Sequence, residues 1–115
     1  MAGPATQSPR VTVVTRTRNR PLMLKRAVQS VGAQSFQELE LVIVNDAGST
    51  EPVESALASA PQWLKERTRV VTNETSHGRE AALEDGLAAS SCEFFAIHDD
   101  DDSWEPGFLA ACVAH

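Results

Sequence analysis

The stretch AIHDDDDSWEP, residues 96–106, sets Asp99, Asp100, Asp101 and Asp102 side by side directly after an apolar run. Two neighbouring carboxylates about 5 Å apart at an effective dielectric of about 20 repel by roughly 3 kcal/mol, so such a row needs relief from water, protons or a cation. Hard carboxylate oxygens suit Mg2+ or Mn2+, ions that keep several waters and share their coordination sphere with substrate phosphates. A solvated turn, with Asp102 or Ser103 capping a following helix, is the simpler account. His98, immediately before the aspartates, is either a further ligand or a packed strand-end residue, the second being the commoner fate.

A second group of candidates is basic. Arg16, Arg18 and Arg20 alternate in TRTRNR, which on an extended segment puts them on one side, where guanidinium groups can fork onto phosphate or stack on a base. A solvated basic edge would share the pattern. Asp46 opens the turn Asp46-Ala47-Gly48-Ser49, and its carboxylate either takes hydrogen bonds from a base or closes the turn on itself. Neither glycine-rich phosphate-loop motif occurs, no G-x-S-x-G elbow is present, and neither Cys92 nor Cys112 has a visible histidine partner. A receiver-like phosphoryl-transfer domain would need an aspartate at the end of the first strand, where this chain has Thr15 and Arg16.

These residues are spread over most of the chain, so the fold must gather them. Val11 to Thr15, Leu39 to Val44, Arg69 to Thr72 and Phe94 to Ile97 are short β-branched or apolar runs that read as buried strands. Between them, Asn19 is placed to cap a helix with Pro21 in its first turn and Leu24, Ala27, Val28 and Val31 on one face. Val53, Ala56, Leu57 and Ala60 give a second helix stopped by Pro61, a third is expected from Gly78 to about Ser90, and a fourth begins near Pro106. Strand and helix alternating in this way predict an α/β fold, a Rossmann-like parallel sheet of about four strands with helices on both faces. In such sheets ligands bind beyond the carboxyl ends of the strands. Thr15 to Arg20, Asn45 to Ser49, Asn73, and His98 with the aspartates would then share one rim.

A length of 115 residues fits one domain, with residues 1–10 a flexible leader and 11–115 the folded unit. The formal net charge of −6 argues against nucleic acid or an anionic membrane as the main partner. The two cysteines lie in no metal-type spacing and are expected to be reduced and core-packed. No apolar run approaches membrane-spanning length and the leader lacks a signal-peptide core, so the cytoplasm is the expected location.

Five motifs in order, VTVVTRTRNRP, QSVGAQSF, ELVIVNDAGS, HGREAALEDGL and FFAIHDDDDSWEP, closely resemble the nucleotide-sugar-binding half of family 2 glycosyltransferases with the GT-A fold. The resemblance covers Val11 to about Phe108. It implies that Asp99 and Asp101 are the D-x-D pair holding Mg2+ or Mn2+ on the donor diphosphate, with Asp102 a third acidic position and Asp100 approaching the ribose. It further implies that Asp46 contacts the base, that Thr15, Arg16 and Thr17 line the same pocket, that Arg79 reaches the nucleotide, and that transfer inverts the anomeric centre. The chain departs from the family pattern at Asn45, where an acid is usual, and at Leu83-Glu84-Asp85-Gly86, where Arg-Asn often precedes the glycine. Acceptor-binding segments and the general base of such enzymes follow the D-x-D strand by a considerable stretch, so the expectation is a donor-binding portion of a GT-A domain, its catalytic base outside these residues. A non-catalytic nucleotide-binding or assembly module, self-associating through an exposed sheet edge, is the alternative.

Overall fold

The β-branched run at Val11 does form a strand, β1 (Val11–Thr17), in a computed structural model that describes residues 11–75, 81, 84, 86, 88, 94–98 and 104–113. It is followed by α1 (Pro21–Gly32), β2 (Leu39–Asp46), α2 (Glu51–Ala58), the one-turn α3 (Gln62–Lys65), β3 (Thr68–Asn73), β4 (Phe94–Ile97) and α4 (Phe108–Val113). The strands form one sheet in the order β3-β2-β1-β4, every pairing parallel. The chain steps outward from β1 to β2 to β3 and then returns to the other side of β1. Strand order therefore reverses between β1 and β4, which is where an open parallel sheet of this kind leaves a crevice at its carboxyl edge.

Burial explains the sequence pattern. Every residue of β2 is buried, as expected of a strand covered on both faces, whose sequence then reads as a nearly continuous apolar run. On one face Val11, Val13, Leu39, Leu41 and Ile43 pack against Leu24, Val28 and Val31 of α1 and Val53 and Ala56 of α2. Each large side chain so buried contributes about 1.5–3 kcal/mol. On the other face Val14, Val42 and Val44 form a smaller cluster with Val71. Helical Gly86 lies so close to it that a Cβ there would sit 2.5 Å from Val14 Cγ1. Only glycine allows that approach. Ala81, Glu84 and Ala88 are helical as well, and the rest of the helix predicted from Gly78 to Ser90 lies outside the described residues.

Several local expectations are corrected. Strands β3 and β4, read as buried, are the edge strands of the sheet and leave Val70, Phe95 and Ile97 exposed. Strands β1 and β2 end at Thr17 and Asp46 instead of Thr15 and Val44, because parallel pairing continues through Arg16 with Val44 and Thr17 with Asn45. Ladder bonds are made by the backbone, so loss of apolar character does not end a strand. Asn19 does not cap α1: the cap position is Arg20, with no side-chain cap hydrogen bond, and Asn19 has φ 52°. Cys112 is exposed, not core-packed, because α4 turns Leu109 inward instead. Cys92 and residues 1–10 lie outside the described residues. Helix α2 ends at Ala58, before the Ala60 and Pro61 expected to close it, and Pro61 instead caps the unforeseen α3, which buries Leu64. Among the described residues no helix is long and apolar enough to cross a membrane.

Candidate functional site

Because β1 and β2 each run two residues further than their apolar runs, Arg16 and Asp46 continue the face that carries Val14 and Val44. Asp46 is fully buried, and Arg16 Nη2 donates to its Oδ2 at 3.1 Å. Its other oxygen, Oδ1, accepts from Asn73 Nδ2 at 3.4 Å, where the adjacent end of β3 brings Asn73 into register with Asp46. A buried carboxylate is tolerated when it is paired and hydrogen-bonded in this way. Of the three alternating arginines only Arg16 lies within the strand; Arg18 and Arg20 are exposed.

The opposite face of β1 carries Thr15 and Thr17, which are 1% and 2% exposed. Among the described residues neither Oγ1 has a hydrogen-bond partner, and Arg16 Nε is likewise buried without one. A buried polar group left unsatisfied costs about 1–3 kcal/mol, and native structures leave few of them. The end of β1 beside the switch point thus carries buried polar atoms on both faces, Thr15 and Thr17 on one and Arg16 on the other, that no described residue satisfies.

The turn after β2 is fixed from within by Asn45. Its Nδ2 donates to the carbonyls of Gly48 and Ser49 at 3.1 and 3.0 Å, while its Oδ1 accepts from Gly48 N at 3.1 Å. An aspartate could only accept, so the amide at this departure from the family pattern has its own structural role. Asn19 joins the two loops: its Oδ1 accepts from Ser49 N at 2.8 Å. Gly48 is required by the crowding, since a Cβ there would meet Asn45 Oδ1 at 2.7 Å and Asn19 N at 2.9 Å.

At the end of β4 the buried His98 donates its backbone N–H to Val14 O at 2.9 Å. Its ring lies against Trp104 with centroids 4.2 Å apart, and Trp104 in turn lies 4.7 Å from Phe108. The histidine is thus packed, as strand-end histidines commonly are. Asp99, Asp100, Asp101, Asp102 and Arg79 lie outside the described residues. Sequence reasoning gave Ser30 and Gln34 no role, although both lie in the QSVGAQSF motif. Trp104 N donates to Ser30 Oγ at 2.7 Å, Gln34 Nε2 donates to Glu105 O at 2.8 Å, and Gln34 Oε1 accepts from Leu109 N at 3.0 Å.

This arrangement has known counterparts. The family model described as glycosyl transferase family 2 matches residues 12–115. The chain belongs to that family. Among family relatives, the GalNAc(5)-diNAcBac-PP-undecaprenol beta-1,3-glucosyltransferase of Campylobacter jejuni is 31% identical over 106 residues, covering 91% of this chain and 34% of that protein. An uncharacterized glycosyltransferase of Nostoc is 30% identical over 104 residues, covering 90% of this chain and 32% of its own length. The chain thus spans about a third of the relatives it matches. In structure it is similar to the mannosyltransferase PcManGT from Pyrobaculum calidifontis in complex with GDP-Man and Mn2+, with a TM-score of 0.81 and 26% identity over 94% of this chain and 32% of that one. Staphylococcus aureus TarS residues 1–349 in complex with UDP shares the fold, with a TM-score of 0.76, 22% identity, and 91% and 31% of the two chains covered.

Proposed function

We propose that the carboxyl rim of the sheet is the donor site of a glycosyltransferase, binding a nucleoside-diphosphate sugar together with a divalent cation. The observation that carries this is the carboxyl end of β1 beside the β1–β4 switch point, where Thr15 Oγ1 and Thr17 Oγ1 on one face and Arg16 Nε on the other are buried with no partner among the described residues. Those donors and acceptors suit a nucleotide, whose base and phosphates offer both complements. The mannosyltransferase relative, in complex with GDP-Man and Mn2+, supports the same assignment.

Within that site Asp46 would read the base, held rigid by Arg16 and Asn73. Thr15, Arg16 and Thr17 would line the pocket, with Arg79 and Asp100 completing the nucleotide contacts. Asp46 is already paired, and His98 is packed on Trp104. The resemblance gives the cation to Asp99 and Asp101, whose carboxylates would make an all-oxygen donor set that fits Mg2+ or Mn2+. A cation so held would offset repulsion between the aspartates and the diphosphate and supply Lewis-acid stabilisation of charge on the departing diphosphate. Inversion at the anomeric carbon, with a carboxylate general base on the acceptor hydroxyl, completes the proposal.

The second reading, an assembly module, draws on Phe95 and Ile97, which are 56% and 36% exposed on the edge strand β4. Donor binding is favoured because assembly through that edge gives no reason for the buried hydroxyls of Thr15 and Thr17. Titration calorimetry with UDP-, GDP- and TDP-sugars, with and without Mn2+, on wild type and Asp101→Ala distinguishes the two. Metal-dependent binding of one donor, lost in Asp101→Ala, is expected; self-association with no nucleotide binding would establish assembly instead.

A further inference from the structure

We infer that Ser30 and Gln34 are positioning residues for the acidic stretch of the donor site, setting where the chain resumes after the aspartates. The inference rests on the donor-site reading above and concerns two residues of the QSVGAQSF motif, Ser30 and Gln34, to which the resemblance assigns no role. The two described flanks of residues 99–103 are held together at their base: His98 is tied to β1 through Val14 O, and its ring lies 4.2 Å from that of Trp104. The second flank is then fixed to the end of α1 by side chains. Ser30 Oγ accepts from Trp104 N at 2.7 Å and donates to Trp104 O at 3.1 Å, so one hydroxyl binds both backbone groups of a single residue.

Gln34, 1% exposed, uses both ends of its amide. Nε2 donates to Glu105 O at 2.8 Å and to Ser30 O at 3.3 Å, and Oε1 accepts from Leu109 N at 3.0 Å. Ser35 N adds a bond to Pro106 O at 2.8 Å. Apolar packing of Leu109 would by itself dock α4 on the core, since it is non-directional. Directional bonds to the backbone of residues 104, 105 and 109 add a fixed register. Any effect on Asp99 and Asp101 would therefore pass through the backbone from Trp104, and ligand geometry tolerates little displacement.

The test is calorimetric, with UDP and GDP in the presence of Mn2+ as one probe and UMP and GMP without metal as the other. Ser30→Ala and Gln34→Glu are expected to weaken Mn2+-dependent diphosphate binding up to about tenfold, the size of one lost hydrogen bond, while leaving metal-free monophosphate binding unchanged, and Ser30→Thr is expected to restore most of the loss. A purely structural role would lower both affinities together, and that parallel loss, or no change with Mn2+, overturns the inference. Ser30→Thr retains the hydroxyl and keeps the comparison decisive should Ser30→Ala fold poorly. If wild type itself shows no Mn2+-dependent binding, the donor site falls and this inference with it; if wild type binds and Ser30→Ala binds equally, only the positioning role is lost.

Discussion

Arg16 Nη2 lies 3.1 Å from Oδ2 of Asp46, a carboxylate with no exposed surface, and this pair ties the carboxyl ends of β1 and β2 together on the face opposite Thr15 and Thr17. The two strands that supply the proposed nucleotide contacts are thereby locked before any ligand arrives. The Arg16 side chain is 26% exposed, although its Nε is buried.

Removing one partner of that pair should be costly. Arg16→Met is expected to destabilise the fold by about 1.5–3 kcal/mol, the range for a lost hydrogen bond to a charged group, because Asp46 stays buried. The double change Arg16→Met with Asp46→Leu should recover most of that stability, as apolar replacement of buried ion pairs often does. It should not recover nucleotide binding. Urea unfolding and calorimetry on the same proteins check both halves.

Thr15→Val and Thr17→Val should separate stability from binding. Each removes a buried hydroxyl that has no partner among the described residues, so unfolding free energy should hold or rise by up to about 1 kcal/mol. Nucleotide affinity should fall about three- to tenfold at each position that bonds the ligand. Stability lost with affinity retained would show that these hydroxyls serve the fold.

Asn45→Asp should destabilise the chain, although aspartate is the residue the family usually has there. The carboxylate would face the carbonyls of Gly48 and Ser49, which now accept from Asn45 Nδ2. A loss of about 1–3 kcal/mol is expected, measured by thermal or urea unfolding.

The strand positions, and the meeting of Arg16, Asp46 and Asn73 at one rim, were legible in the sequence, because β-branched runs such as VTVVT and LELVIV alternating with helical patterns call for a parallel sheet. The resemblance to family 2 glycosyltransferases was legible for the same reason, its motifs sitting where these strands end. What escaped was long-range. Nothing local distinguishes Arg16 from Arg18 until the ladder is seen to run through Thr17. Asn19 has the chemistry of a helix cap, yet its side chain satisfies Ser49, thirty positions away. Ser30 and Gln34 look like ordinary polar residues near the end of a helix because their partners lie 71 to 75 residues downstream.

The central claim is tested most directly by a crystal structure of the protein grown with Mn2+ and the nucleotide that binds tightest, with the metal located by its anomalous signal. The account predicts Mn2+ bonded to carboxylate oxygens of Asp99 and Asp101 and to the diphosphate, with the base against Asp46 and the hydroxyls of Thr15 and Thr17 engaged. A nucleotide lodged away from the β1–β4 crevice, or a metal bound without either aspartate, would contradict it.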